Sequence, residues 1–312
     1  MSTAQAGVTP YVPHPVHQTG RTYVETNCYT DIVVELLHAR GYEPLAMLGA
    51  NVRMDFEGDQ WTFFKPAPGD LERLYGIDIH EMQPYRPLPE QAVEQLAAGR
   101  TMIVELDSWW LPDTAATAYR SEHVKSSVAV DAIEPEREWM RYFHNAGRYE
   151  LAGEDYRGVW ASAVEHLPPY TELVRFDAGP ALRDDALRDA ARALLAGHLA
   201  RRPATNPFVR FGAALDRDLP ALLAGDPAGY HAYAFATVRM VGAGFELLGA
   251  HARWLLGDDG EDVAVATDDI VGASKLLSLK LARRKPFDPA PVIDGLAAEW
   301  ERVVGGLDAA LA

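Results

Sequence analysis

The spacing of apolar residues changes character near residue 178, and that change decides the fold class. Before it, several short runs alternate. TMIVEL (Thr101–Leu106) and HVKSSVAV (His123–Val130) read as half-buried strands, and Trp139–His144 reads as another before the turn signal Asn145-Ala146-Gly147. Short helices over Asp70–Tyr75 and Pro89–Ala98 end at Gly76 and Gly99. Gln60–Phe64 reads as an aromatic strand after a Gly58-Asp59 turn. Pro168-Pro169 and Asp177-Ala178-Gly179-Pro180 then punctuate the chain. Beyond them the pattern is helical: Leu182–Arg201, Phe208–Leu223, Tyr230–Leu256, about Asp262–Arg283 and Pro291–Ala310. The expected organisation is α+β: an N-terminal domain over 1–178, whose residues 1–20 form a proline-marked extended arm, then an all-α bundle over 179–312. In Tyr230–Leu256, Gly242, Gly244 and Gly249 permit close helix approach, and Arg239 and Glu246 share one face that would meet a neighbouring helix.

Bulk properties exclude several classes. With 29 Lys+Arg against 45 Asp+Glu, the chain carries −16, and a nucleic-acid backbone would be repelled. No apolar run is long enough to cross a bilayer, and the first twenty residues lack the basic start and apolar core of a signal peptide. One cysteine cannot form an internal disulfide, so the expected setting is the cytoplasm. His14 and His17 have a metal-like spacing, but no further ligand pair completes a set; they read as part of the arm, and no metal or bound cofactor is expected.

That cysteine is well placed for chemistry. Thr26 or Asn27 can cap a helix over Ile32–Arg40, which puts Cys28 in the first turn, where the helix dipole favours a thiolate. A nucleophile needs a base, and the base needs a partner that orients it. His123 at a strand start and Asn145 at a strand end supply them, in the order and element type of a papain-like cysteine-hydrolase fold. The expected roles are Cys28 as nucleophile, His123 as base and Asn145 as orienting group. Asp107 and His144 compete for the supporting role. Asn27, Trp61, Asp107, Trp109 and Trp110 are candidate substrate-binding residues, the tryptophans as the walls of a groove.

The strings TNCYTDIVVELLHARGYEPLA, DFEGDQWTFFK, LERLYGIDIHEM, VELDSWWLPDTAATAYRSEHVKSSVAV and YFHNAGRYELAGEDY, with NPFVRF and HAYAFATVRMVGAGFELLGAHARWLL, resemble an uncharacterised bacterial family. Its members look like relatives of the butirosin biosynthesis acyltransferase, which moves an aminoacyl group from a carrier protein to an amine. The resemblance implies a papain-like domain followed by a helical one. It also implies a phosphopantetheine thioester on an acidic carrier protein as donor, and a small-molecule amine as acceptor. Papain-like proteases carry a glutamine six residues before the cysteine; here that position is Thr22, with Gln18 the nearest glutamine. The Cys28 backbone N–H is then the expected oxyanion donor. An amidase or peptidase using water, and a non-catalytic carrier-binding protein, are the rival readings. Basic clusters at Arg283-Arg284-Lys285 and Arg201-Arg202 are candidates to receive an acidic carrier.

Overall fold

The computed structural model describes residues 11–18, 20–162 and 169–312. The first ten residues of the expected arm, and Pro168 of the boundary signal, lie outside the described residues. The fold is α+β. Helix α1 (Cys28–Ala39) is followed by a 3₁₀ run over Pro44–Arg53, α2 (Pro68–Tyr75), β1 (Asp78–Glu81), α3 (Leu88–Ala97), β2 (Thr101–Asp107), β3 (Lys125–Glu134), β4 (Trp139–His144), β5 (Gly147–Ala152), α4 (Glu154–Ser162) and β6 (Thr171–Arg175). The strands make one antiparallel sheet in the order β1-β6-β2-β3-β4-β5.

Strand alternation gives the sheet two covered faces. Ile79, Ile103, Ala129, Phe143 and Val174 point to α1 and a large core. Met102, Val104, Leu106, Val128, Val130, Tyr142 and Leu173 point to the other side, where α3 and α4 lie. Helix α1 buries Ile32, Val33, Val34, Leu36 and Leu37. Tyr29, near its start, reaches Glu172 at the start of β6, whereas Val33, Leu36 and Leu37 pack near Val174 and Phe176 at the far end. Helix and strand therefore run in the same direction. The N-terminus of α1 lies at the end of the sheet where β2 and β4 finish and β3 begins.

The second half is helical: α5 (Asp184–Leu199), α6 (Pro207–Ala224), α7 (Pro227–Ala234), α8 (Met240–Leu256), α9 (Glu261–Ala282) and α10 (Ala290–Leu311). The span expected as one helix over Tyr230–Leu256 is interrupted by a π turn at Phe235–Arg239. Among the described residues, no helix is long and apolar enough to cross a membrane.

The two halves share one hydrophobic core, continuous from Val16 in the arm to Leu307 in α10. Trp61 is 5% exposed and packs against Phe56, Phe208 and Phe211. It is a core residue between the halves, which corrects its expected place in a groove. Its segment is a tight hairpin with a single bridge, Phe56 to Trp61, rather than the expected strand. Helix α8 crosses the 3₁₀ run at Gly244, where an added Cβ would stand 2.1 Å from the Met54 sulfur. The neighbouring amide of Asn51 donates to the Gly244 carbonyl at 3.0 Å. Gly244→Ala is expected to destabilise the protein by about 1–3 kcal/mol, the usual cost of overpacking, measured by urea denaturation. A shift below about 0.5 kcal/mol would mean that the interface yields.

Arg239 and Glu246 bond to the extended segment before α1, where the sequence pointed to a facing helix. Glu246 accepts from the backbone N–H groups of Thr22 and Tyr23, both at 2.8 Å. Arg239 donates to the carbonyls of Thr26 (2.9 Å) and Glu25 (2.6 Å). The extended segment leading to Cys28 is thus clamped by α8.

Candidate functional site

Cys28 is the first residue of α1, half-buried and free. Asn27 is its N-cap: the side-chain oxygen accepts from Thr30 N–H at 2.9 Å, and the amide donates to the Phe64 carbonyl at 3.1 Å. Both ends of Asn27 are engaged in capping and in the bond to Phe64. The Cys28 N–H has no partner among the described residues and belongs to the turn whose donors lack intrahelical acceptors. Gln18 donates its amide to the Pro13 carbonyl at 2.9 Å, and the Thr22 N–H is held by Glu246. Neither is turned to an oxyanion.

His123 is placed just before β3, and its Nδ1 lies 2.7 Å from Asp107 Oδ2 at the end of β2. The other carboxylate oxygen accepts from the Trp109 N–H at 3.0 Å. The Trp109 ring stacks on the imidazole, with centroids 4.6 Å apart and planes 8° from parallel. Asp107 and Trp109 thus fix both the tilt and the tautomer of His123. Nδ1–H donates to Asp107, and Nε2 is unpartnered among the described residues, with a lone pair to accept a proton. By alternation from Ile103, Asp107 lies on the α1 side of the sheet, at the end that carries Cys28.

Asn145 was expected to orient His123, but Asp107 fills that role. Asn145 sits in the β4–β5 turn with φ of 45°, in the left-handed region, at the same end of the sheet and without a side-chain bond to His123. His144 is buried; its Nδ1 meets Asp113 at 2.6 Å, and Tyr142 donates to the same carboxylate. Tyr142 faces α3 and α4, so that group is separate from Cys28. The two tryptophans divide. Trp109 covers His123, whereas Trp110 lies against Gly158 of α4 with Arg120 over its ring at 4.3 Å. Among the described residues, no group of His, Cys, Asp and Glu is arranged to hold a metal ion. Of the basic clusters, Arg284 donates to the Leu223 and Gly225 carbonyls, and Arg202 donates to the Leu199 carbonyl and pairs with Asp308 at 2.9 Å. Arg283 and Lys285 are exposed.

Two polar groupings escaped the sequence reading. In the first, His14, Val16 and His17 are buried against α1, not extended in an arm. His17 lies between Asp31 (3.2 Å) and Glu35 (2.5 Å), on successive turns of α1. Asp31 also accepts from the Thr26 N–H at 2.8 Å, and Glu35 from the His14 N–H at 3.1 Å and from the Tyr11 hydroxyl. Burial pushes the His17 imidazole down, but hydrogen bonds to Asp31 and Glu35 and their charges outweigh it and raise its pKa to about 9. The signal was present: two acids four apart inside an apolar helical run require a buried cation. The second grouping is Tyr29, Lys65, Tyr170 and Glu172, beside Cys28.

A family described as the DUF1839 N-terminal domain matches residues 12–176, and its companion, the DUF1839 C-terminal domain, matches residues 184–309. No curated protein matches the chain.

Proposed function

This chain belongs to the two-domain DUF1839 family, and we propose that it is a cysteine acyltransferase that passes an acyl group from a thioester to an amine. The observation that carries the reading is the His123–Asp107 pair at the same end of the sheet as a half-buried cysteine at a helix N-terminus. A helix-borne cysteine packed on an antiparallel sheet, with its base at a strand start, is also the layout of papain-like enzymes. The resemblance of the sequence to relatives of the butirosin acyltransferase supports acyl transfer over proteolysis, as does the absence of glutamine at position 22.

In this reading Nε2 of His123 takes the Cys28 proton. The thiolate attacks the thioester carbonyl, and the oxyanion is met by the Cys28 N–H. The donor thiol leaves with the proton from His123. An amine then attacks the acyl-Cys28 carbonyl, gives its proton to Nε2, and releases the amide and the Cys28 thiolate. Exchange of one thioester for another is nearly balanced in energy, and the amide-forming step drives the sequence. The donor would be a phosphopantetheine thioester on an acidic carrier protein. Arg283 and Lys285 are the exposed charges suited to receive it, since Arg284 is committed to carbonyls.

Incubation with acyl- and aminoacyl-pantetheine thioesters is expected to add the acyl mass to the peptide containing Cys28, read by intact-mass spectrometry. Cys28→Ser is expected to abolish the adduct. Release by water as fast as by amine would make the protein a hydrolase rather than a transferase. No adduct from any donor, with Cys28 unreactive to alkylation, would leave a non-catalytic binding protein.

A further inference from the structure

The carboxylate of Glu172 points to the α1 side of the sheet and is 5% exposed. Two phenols donate to it: Tyr29 to Oε2 at 2.6 Å and Tyr170 to Oε1 at 2.5 Å. Burial, then the bond to Glu172, push the Tyr29 phenol far above its ordinary range, and the same bond followed by burial raises that of Tyr170. Both rings therefore stay neutral and serve as donors. The cation facing this group is Lys65, whose Nζ lies 3.6 Å from Glu172, 3.7 Å from the centre of the Tyr29 ring and 5.8 Å from that of Tyr170.

A buried carboxylate with two aromatic walls is a receptor for an ammonium ion. Three features set it apart from an ordinary internal ion pair. The Lys65 side chain is 40% exposed, so it enters from solvent and can leave without opening the core. Its contact with Glu172 is longer than a good charged hydrogen bond. And the cage is built on the helix start that carries the proposed nucleophile: Tyr29 is the residue after Cys28 in α1, and the Phe64 carbonyl beside Lys65 is fastened to the same turn by Asn27 and Thr30.

We propose that Tyr29, Tyr170 and Glu172 form a binding site for a primary ammonium group of the substrate, and that Lys65 fills it in the free protein. This rests on Cys28 being the acyl-carrying residue. The caged nitrogen has no lone pair, so it is not the attacking amine. It belongs either to the α-ammonium of an aminoacyl donor or to a second amine on a di- or polyamine acceptor. Lys65 is a tethered competitor with an effective concentration on the order of millimolar or above, so it sets a threshold that a free amine must exceed.

The test titrates n-butylammonium, with n-butanol as the uncharged control, against the full chain by ligand-observed NMR. Lys65→Met keeps the stem and removes the competitor, and it is expected to tighten n-butylammonium binding about tenfold or more. Glu172→Gln is expected to lose it, and n-butanol is expected not to bind. Equal affinity in wild type and Lys65→Met, or equal binding of n-butanol, overturns the cage even if Glu172→Gln fails to fold. The source of the nitrogen is read from Cys28 loading. Glycyl-pantetheine outpacing acetyl-pantetheine, with the preference enlarged in Lys65→Met, assigns the donor. Equal loading with faster release by 1,5-diaminopentane than by n-butylamine assigns the acceptor. If Cys28 is never acylated, the acyltransferase reading fails and the cage has no role in acyl transfer, whereas the amine titration still decides whether it binds ammonium.

Discussion

His17→Ala is expected to destabilise the protein by about 3–5 kcal/mol, the range seen when one partner of a buried charge group is removed. The imidazolium lies between the Asp31 and Glu35 carboxylates, and both acids are fully buried. Without it, two like charges share a dry space, and the remaining donors there (Thr26, the His14 N–H and the Tyr11 hydroxyl) carry no charge. The same group gives a pH signature. The folded pKa of His17 is raised from 6.5 to about 9. Its contribution is therefore fully present below pH 6.5 and is lost as the pH rises through about 9. Urea denaturation at pH 6.5 and at pH 9.5 is expected to show wild type losing stability at the higher pH and His17→Ala losing much less. A variant within about 1 kcal/mol of wild type, or one that keeps the full pH slope, would mean that the acids are satisfied without the imidazolium.

Asp107→Asn is expected to slow acylation of Cys28 by about 10²–10⁴-fold, whereas Asn145→Gly is expected to stay within about threefold of wild type. One Asp107 oxygen is engaged by the Trp109 N–H and the other by His123 Nδ1. An asparagine there must turn an NH₂ to one of them. If the amide faces His123, Nδ1 becomes the acceptor and the proton moves to Nε2, leaving no base for the thiol. Asn145 has its backbone in the left-handed region, which glycine adopts readily, so that substitution removes the side chain and keeps the turn. Single-turnover acylation followed by mass gives both rates. The pH dependence of iodoacetamide alkylation separates a lost base from a displaced one: the profile is expected to move in Asp107→Asn and to stay in Asn145→Gly. A larger defect in Asn145→Gly would return the orienting role to Asn145.

Periodicity made the secondary structure legible where it was strong. TMIVEL is β2, Trp139–His144 is β4, and α5, α6, α9 and α10 lie within a few residues of their expected spans, whereas the single helix expected over Tyr230–Leu256 is split into α7, a π turn and α8. Strands β1, β5 and β6 were not read, because each takes its stability from a neighbour's ladder rather than from a strong pattern of its own, and β1 and β6 are also short. The arm was misread for a related reason: prolines argue against regular structure, not against burial, and His17 is drawn in by acids on α1. At the site, residue type was informative and partnership was not. The sequence favoured Asn145 as the partner of His123, with Asp107 and His144 as competitors, and the pairing with Asp107 follows from the β2–β3 register, which sets Asp107 opposite Lys125. Trp61 was misassigned because an aromatic beside a turn has the same sequence signature whether it lines a groove or joins two halves of a core.

The clamp from α8 has a consequence for the order in which the protein becomes competent. Among the described residues, the segment from Thr22 to Thr26 joins no ladder, and four of its backbone groups are met by side chains made 213 to 224 residues later. During synthesis, the first half emerges with its lone thiol at the head of a helix whose approach is held at Thr26 by Asp31 but not yet at Thr22, Tyr23 or Glu25. Only when Arg239 and Glu246 have left the ribosome is that approach drawn taut. The second half thus completes the hold on the approach to Cys28: a chain that ends before Arg239 keeps the sulfur and loses these four bonds.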